Sequence, residues 1–159
     1  MINTLEWQHS HLIILDQTKL PTEITYIKCY DYKRIALAIK RLEVRGAPAI
    51  GAAAAFAMVL GFNELLNTCI AEKELFWSKY ELIKNELIAA RPTAVNLQWA
   101  ADKIWLEAFS HKGTLTLAEI AKSIETMAIN IYQNDIEQNK KIGVYGASLL
   151  PPNANVITH

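Results

Sequence analysis

Arg45-Gly46-Ala47-Pro48-Ala49-Ile50-Gly51-Ala52-Ala53-Ala54-Ala55-Phe56 is the stretch on which the fold turns. Pro48 suits the first turn of an α-helix, where its missing N–H is not needed. Four consecutive alanines then make the segment small as well as apolar, and the apolar character continues to Phe62. Counted from Ala47 the run is shorter than the roughly 20 residues a bilayer requires, and Pro48, Gly51 and Gly61 interrupt it. It predicts a tightly packed buried helix rather than a membrane span.

Helical periodicity surrounds this segment. Upstream, Ile35, Ala38, Ile39 and Leu42 follow i, i+3, i+4, i+7 and predict a helix from Asp31 with one buried face. Downstream, Phe76, Tyr80, Ile83 and Leu87 mark another, opening on the solvated charges Glu72-Lys73-Glu74. Leu97, Ala100, Ala101, Ile104 and Ala108 mark the next, which is expected to stop near His111-Lys112-Gly113. Thr116 and Glu119 have the spacing of a capping box, and Leu117, Ile120, Ala121, Ile124, Ala128 and Ile131 carry the apolar stripe that follows. A separate last helix is expected over Asp135 to Leu150, stopped by Pro151-Pro152.

Before Asp31 the pattern is that of short strands. Leu12–Leu15 is an apolar run, and Ile24-Thr25-Tyr26-Ile27 is β-branched and aromatic. The fold class expected is α+β: a predominantly helical domain over residues 1–150 with a small antiparallel sheet. Residues 151–159 close on a turn and then Val156-Ile157-Thr158-His159, which reads as an unfinished strand opening a second, α/β domain. A short edge strand is the alternative.

Composition narrows the function. Apolar residues make up 52% of the 159 and charged residues 20%, the balance of a folded chain with a core of its own. Sixteen basic residues meet sixteen acidic ones, so no basic stripe points to nucleic acid. Cys29 and Cys69 are too few for a disulfide framework, and together with the absence of a signal-like start they fit the cytoplasm.

The segment that decides the fold also carries the strongest candidate site. Gly46 and Ala47 leave the backbone open to close approach, and Arg45 stands beside the positive end of the helix dipole. Free N–H groups, a dipole and a guanidinium suit a phosphate. The alternative is a close-packed helix start with Arg45 in an ordinary salt bridge. Arg91-Pro92-Thr93 repeats the arrangement, with Thr93 as the expected N-cap. The two arginines either converge on one anion or lie apart and pair with surface carboxylates.

Other features carry less. Gly143-Val144-Tyr145-Gly146 lies inside a helical pattern and lacks the third glycine of a dinucleotide loop. His9 and His11 could share a strand face, yet no third metal ligand accompanies them. Trp7, Trp77, Trp99 and Trp105 read as core or interface aromatics. The apolar helix and these tryptophans predict that an isolated chain exposes surface meant for a second domain or a dimer mate.

Taken in order and spacing, Leu15-Asp16-Gln17-Thr18-Lys19-Leu20-Pro21, Ile39 through Gly51, Arg91-Pro92-Thr93-Ala94-Val95-Asn96-Leu97, Ile142 through Ala147 and Val156 through His159 resemble the methylthioribose-1-phosphate isomerases. The resemblance spans nearly the whole chain, and the block from Arg45 to Gly51 is its most specific part. It implies an aldose–ketose isomerase of methionine salvage that acts on a sugar phosphate without a metal or organic cofactor. It also implies a homodimer, with a Rossmann-like second domain whose first strand begins after residue 150. By resemblance Arg45, Gly46, Ala47 and Arg91 bind substrate, whereas the catalytic cysteine and aspartate lie beyond His159. The chain then holds no catalytic residue and looks truncated. Tyr145 stands where relatives usually have histidine. The same fold family includes regulatory subunits of a translation-initiation guanine-nucleotide exchange factor and ribose-bisphosphate isomerases, and both remain as alternatives.

Overall fold

A computed structural model describes residues 3–68 and 73–157. Three strands, β1 (Leu5–Trp7), β2 (Leu12–Leu15) and β3 (Tyr26–Cys29), form an antiparallel sheet in the order β1-β2-β3. Five helices follow: α1 (Tyr32–Lys40), α2 (Ala47–Asn67), α3 (Lys73–Ala90), α4 (Val95–Ser110) and α5 (Leu117–Ser148). The expected helix-dominated α+β architecture with a small sheet is what forms.

The core is built around α2. Every residue from Ala52 to Val59 is at most 1% exposed, and α1, α3, α4 and α5 all pack on this helix. By length and composition α2 could cross a membrane, but its apolar surface is taken up by the protein's own core. The buried helix expected of this segment is what forms, while Val95, Trp99 and Leu106 of α4 are exposed apolar residues. Small residues suit the close fit, because α2 shares one buried core with Ala100, Ala101 and Ala108 of α4 and Ala128 of α5. Two glycines mark the tightest crossings. A Cβ on Gly61 would lie 2.8 Å from Ile83 Cγ2 of α3, and one on Gly51 would lie 3.1 Å from the Asn96 carbonyl oxygen of α4.

Aromatic residues fill the wider spaces. Phe62 meets Phe76 and Tyr80 edge-on at 4.9 and 5.0 Å, and Trp77, Trp105 and Phe109 extend the cluster between α3 and α4. Trp7 stacks on Phe56 at 4.7 Å and so ties β1 to α2, and the Tyr132 hydroxyl donates to the Leu5 carbonyl at 2.7 Å. Trp99 alone of the four tryptophans is half exposed. Cys29 is fully buried, and burial pushes its thiol up to about 11. Cys69 and Glu72 lie outside the described residues.

Four sequence expectations need correction. Helix α5 runs unbroken through 32 residues, where two helices were expected; no proline or paired glycine interrupts residues 131–135, so the ladder continues. Strand β3 starts two residues later than the β-branched run, because Leu15 pairs with Tyr26. Leu42 does not extend the buried face of α1: the helix ends at Lys40, Leu42 adopts φ +61° at 41% exposure, and Val44 takes the buried place. Thr93 is not the N-cap of α4; Ala94 is, without a side-chain hydrogen bond. Val156 and Ile157 are exposed and lie in no strand among the described residues, while Thr158 and His159 lie outside them. The capping box does form, with the Glu119 N–H donating to Thr116 Oγ1 and the Thr116 N–H to Glu119 Oε2.

The Gly61 crossing gives a stability test. Gly61→Val forces side-chain bulk into Ile83 and is expected to lower the unfolding free energy by about 1–3 kcal/mol, read as a shift in the urea midpoint at unchanged slope. Adding Ile83→Ala to Gly61→Val should recover part of that loss. In the folded protein Cys29 should resist alkylation at pH 8, because it is both buried and held protonated, and should react once the chain unfolds.

Candidate functional site

Two turns of chain build the site, each shaped by local sequence. Gly46, with φ +88°, makes the entry to α2 in the left-handed region that glycine adopts at no steric cost. It serves as N-cap but has no side chain to offer, so the first amide donors of α2 stay free of side-chain caps. Pro48 removes one donor from that turn, and the Ile50 N–H returns to the Gly46 carbonyl at 2.9 Å. At the start of α4, the Ala94 N–H closes a turn onto the Arg91 carbonyl at 3.0 Å, and Ala94 leaves that helix without a side-chain cap as well.

The two helix starts meet. Gly46, Ala47 and Ile50 from one side and Arg91, Thr93, Ala94, Val95 and Asn96 from the other line a cleft of about 390 Å³. Of the residues singled out in the sequence, the structure thus brings Gly46, Ala47 and Arg91 together. Arg45 stands at the edge: its side chain is exposed, is not part of the lining, and donates from Nε to the Leu42 carbonyl at 3.2 Å. Among the described residues no carboxylate oxygen lies within 4.0 Å of either guanidinium. The ordinary surface salt bridge therefore fails as an account of either arginine.

Sequence reading missed Asn96. Its partly buried position lines both this cleft and a neighbouring one of about 360 Å³ bounded by Pro48, Gly51, Trp99, Lys103, Ile131 and Asn134. Only the third dimension reveals this, because the close approach of Gly51 to Asn96 joins segments 45 residues apart. Two uncapped helix N-termini with an arginine between them can hold a compact anion through backbone N–H groups and one bidentate side chain.

The histidines lie elsewhere. His9 occupies the β1–β2 turn at φ +58°, not a strand, with Nδ1 2.8 Å from Glu125 Oε1, while His11 stacks on Tyr30. Gly143 to Ser148 is helical, inside α5, and Tyr145 is exposed.

Comparison with known proteins places the chain. A methylthioribose-1-phosphate isomerase of Desulforamulus reducens is 45% identical over 158 residues, which is 99% of this chain and 44% of that protein. The crystal structure of 5-methylthioribose 1-phosphate isomerase from Pyrococcus horikoshii superposes with a TM-score of 0.85 at 38% identity, covering 95% of this chain and 41% of the other. The translation initiation factor eIF-2B delta subunit from A. fulgidus superposes at 0.83 with 33% identity, over 96% and 43%. The chain thus spans less than half the length of these relatives. The family model described as the Initiation factor 2 subunit family matches residues 43–159, from the buried glutamate before Arg45 to the last residue, and the chain belongs to that family.

Proposed function

We propose that this chain is the substrate-holding part of a methylthioribose-1-phosphate isomerase, acting in methionine salvage on the step from aldose 1-phosphate to ketose 1-phosphate. The observation that carries the reading is the meeting of Gly46, Ala47 and Arg91 in one cleft between two uncapped helix starts. Identity of 45% along nearly the whole chain to a protein of that name supports it.

In this reading Arg91 and the backbone N–H groups at Gly46 and Ala47 hold the phosphate, and Arg45 closes over the edge from its exposed position. The work done here is positioning and charge stabilisation. Proton or hydride movement between the two sugar carbons falls to residues outside this chain. The same proposal makes the enzyme cytoplasmic, homodimeric and free of a metal or organic cofactor. It assigns residues 1–150 to a helical domain and 151–159 to the opening of a Rossmann-like one. The likeness to an initiation-factor subunit favours one rival, a regulatory protein that binds a ligand without turning it over.

Phosphorus and carbon NMR of methylthioribose 1-phosphate mixed with the full product of this gene decides between them. Conversion to the ketose 1-phosphate is expected, and a folded full product that leaves the aldose untouched sinks the isomerase reading. A polypeptide ending at His159 should show no turnover. Arg91→Ala should weaken binding of the sugar phosphate by about tenfold to a hundredfold, the value of one charged hydrogen-bonding group, with Arg91→Lys recovering only part because its single ammonium lacks the planar fork. Calorimetric titration checks both variants.

A further inference from the structure

Two features of the sequence find no role in the cleft itself. The segment Leu15-Asp16-Gln17-Thr18 contributes nothing to its lining, and Glu43 is a carboxylate only 7% exposed. A carboxylate is costly to bury unless it is paired and hydrogen-bonded, so its surroundings must hold it for a reason.

Those surroundings pin Glu43 from several directions. Arg34 Nη1 of α1 donates to Glu43 Oε2 at 2.7 Å, and Arg41 Nη1 stands 4.0 Å from Oε1. The Glu43 N–H donates to the Ala38 carbonyl at 2.9 Å, and its own carbonyl accepts from the Gln17 N–H at 2.9 Å. Gln17 is held in turn: Asp16, itself buried, accepts from the Thr18 N–H at 3.0 Å and from Thr18 Oγ1 at 2.6 Å, closing a tight turn at the end of β2.

The residues on either side of Glu43 show what this clip controls. Leu42 sits at φ +61°, a conformation that a leucine keeps only where its surroundings over-determine it. The Leu42 carbonyl is the group that takes the hydrogen bond from Arg45 Nε. Val44 is fully buried, and Gly46 follows with φ +88° at the mouth of α2.

We propose that Glu43 is a positioning residue of the anion cleft: clamped by Arg34 and by the Asp16–Thr18 turn, it fixes the loop that aims Arg45 and the Gly46–Ala47 amides. The inference rests on the anion-cleft reading given above. Glu43 touches no ligand in this scheme and acts through the loop alone.

The test compares wild type, Glu43→Gln and the double variant Glu43→Gln/Arg34→Met. Affinity for inorganic phosphate is measured by calorimetry, hydrogen exchange is followed at the Glu43 and Ile50 amides, and melting temperature is recorded. Glu43→Gln is expected to bind phosphate about tenfold or more weakly, as misplacement of aligned groups does, and to exchange faster at both amides. The double variant leaves no unpaired, partly buried guanidinium and should melt closer to wild type, while still binding as weakly as the single variant. Recovery of phosphate affinity in the double variant would overturn the proposal by assigning the defect to the unpaired charge. Unchanged affinity and exchange in Glu43→Gln would overturn it as well. Wild-type protein that takes up no phosphate removes the anion-cleft reading itself, and amide exchange then upholds or overturns the loop clip on its own.

Discussion

Everything in this structure depends on covering α2 on all sides. A helix that is apolar around its whole circumference cannot leave a face in water without cost, and here four other helices and the sheet surround it. The alanine run makes that possible, since side chains this small let neighbouring backbones approach closely. Gly51 and Gly61 then set where α4 and α3 cross. Once the middle of α2 is fixed in the core, its first turn has one place to go, beside the first turn of α4. The cleft is thus a consequence of how the core packs.

Helix ends in this chain are treated in two ways. Asp31 caps α1 through the Arg34 N–H, and Thr116 with Glu119 closes the start of α5 reciprocally. A side-chain cap stabilises a helix by about 1 kcal/mol. The two helices that open into the cleft, α2 and α4, have Gly46 and Ala94 at the corresponding position, and neither can supply such a cap. The omission coincides with the place where unsatisfied donors would be of use to an anion. Within one polypeptide, the contrast separates the helix starts closed by a side chain from those that open into the cleft.

Much of this was legible in the residues themselves. The helical stripes of α3 and α4 are buried as their spacing implies, and the Thr116–Glu119 box closes as its sequence predicts, because both are set within a few residues. What local pattern could not reveal depends on distant partners. The start of β3 follows its register with β2, not its own β-branched run. Leu42 leaves the α1 stripe because Glu43 is pulled back to Ala38 and Arg34. For the cleft, residue patterns marked Gly46–Ala47 and Arg91 at two helix starts and left open whether these meet; their meeting, and the place of Asn96 among them, arises from the crossing of α2 with α4.

The unbroken course of α5 has a consequence of its own. At 1.5 Å per residue its 32 residues make a rod about 48 Å long. Ile120, Ile124 and Ala128 anchor it in the core, and every residue from Glu137 to Ser148 is exposed. Such a rod converts residue count into direction: one inserted residue would turn whatever follows Ser148 by about 100° and advance it by about 1.5 Å. Between Ala128 and Ser148, then, the number of residues is itself structural information.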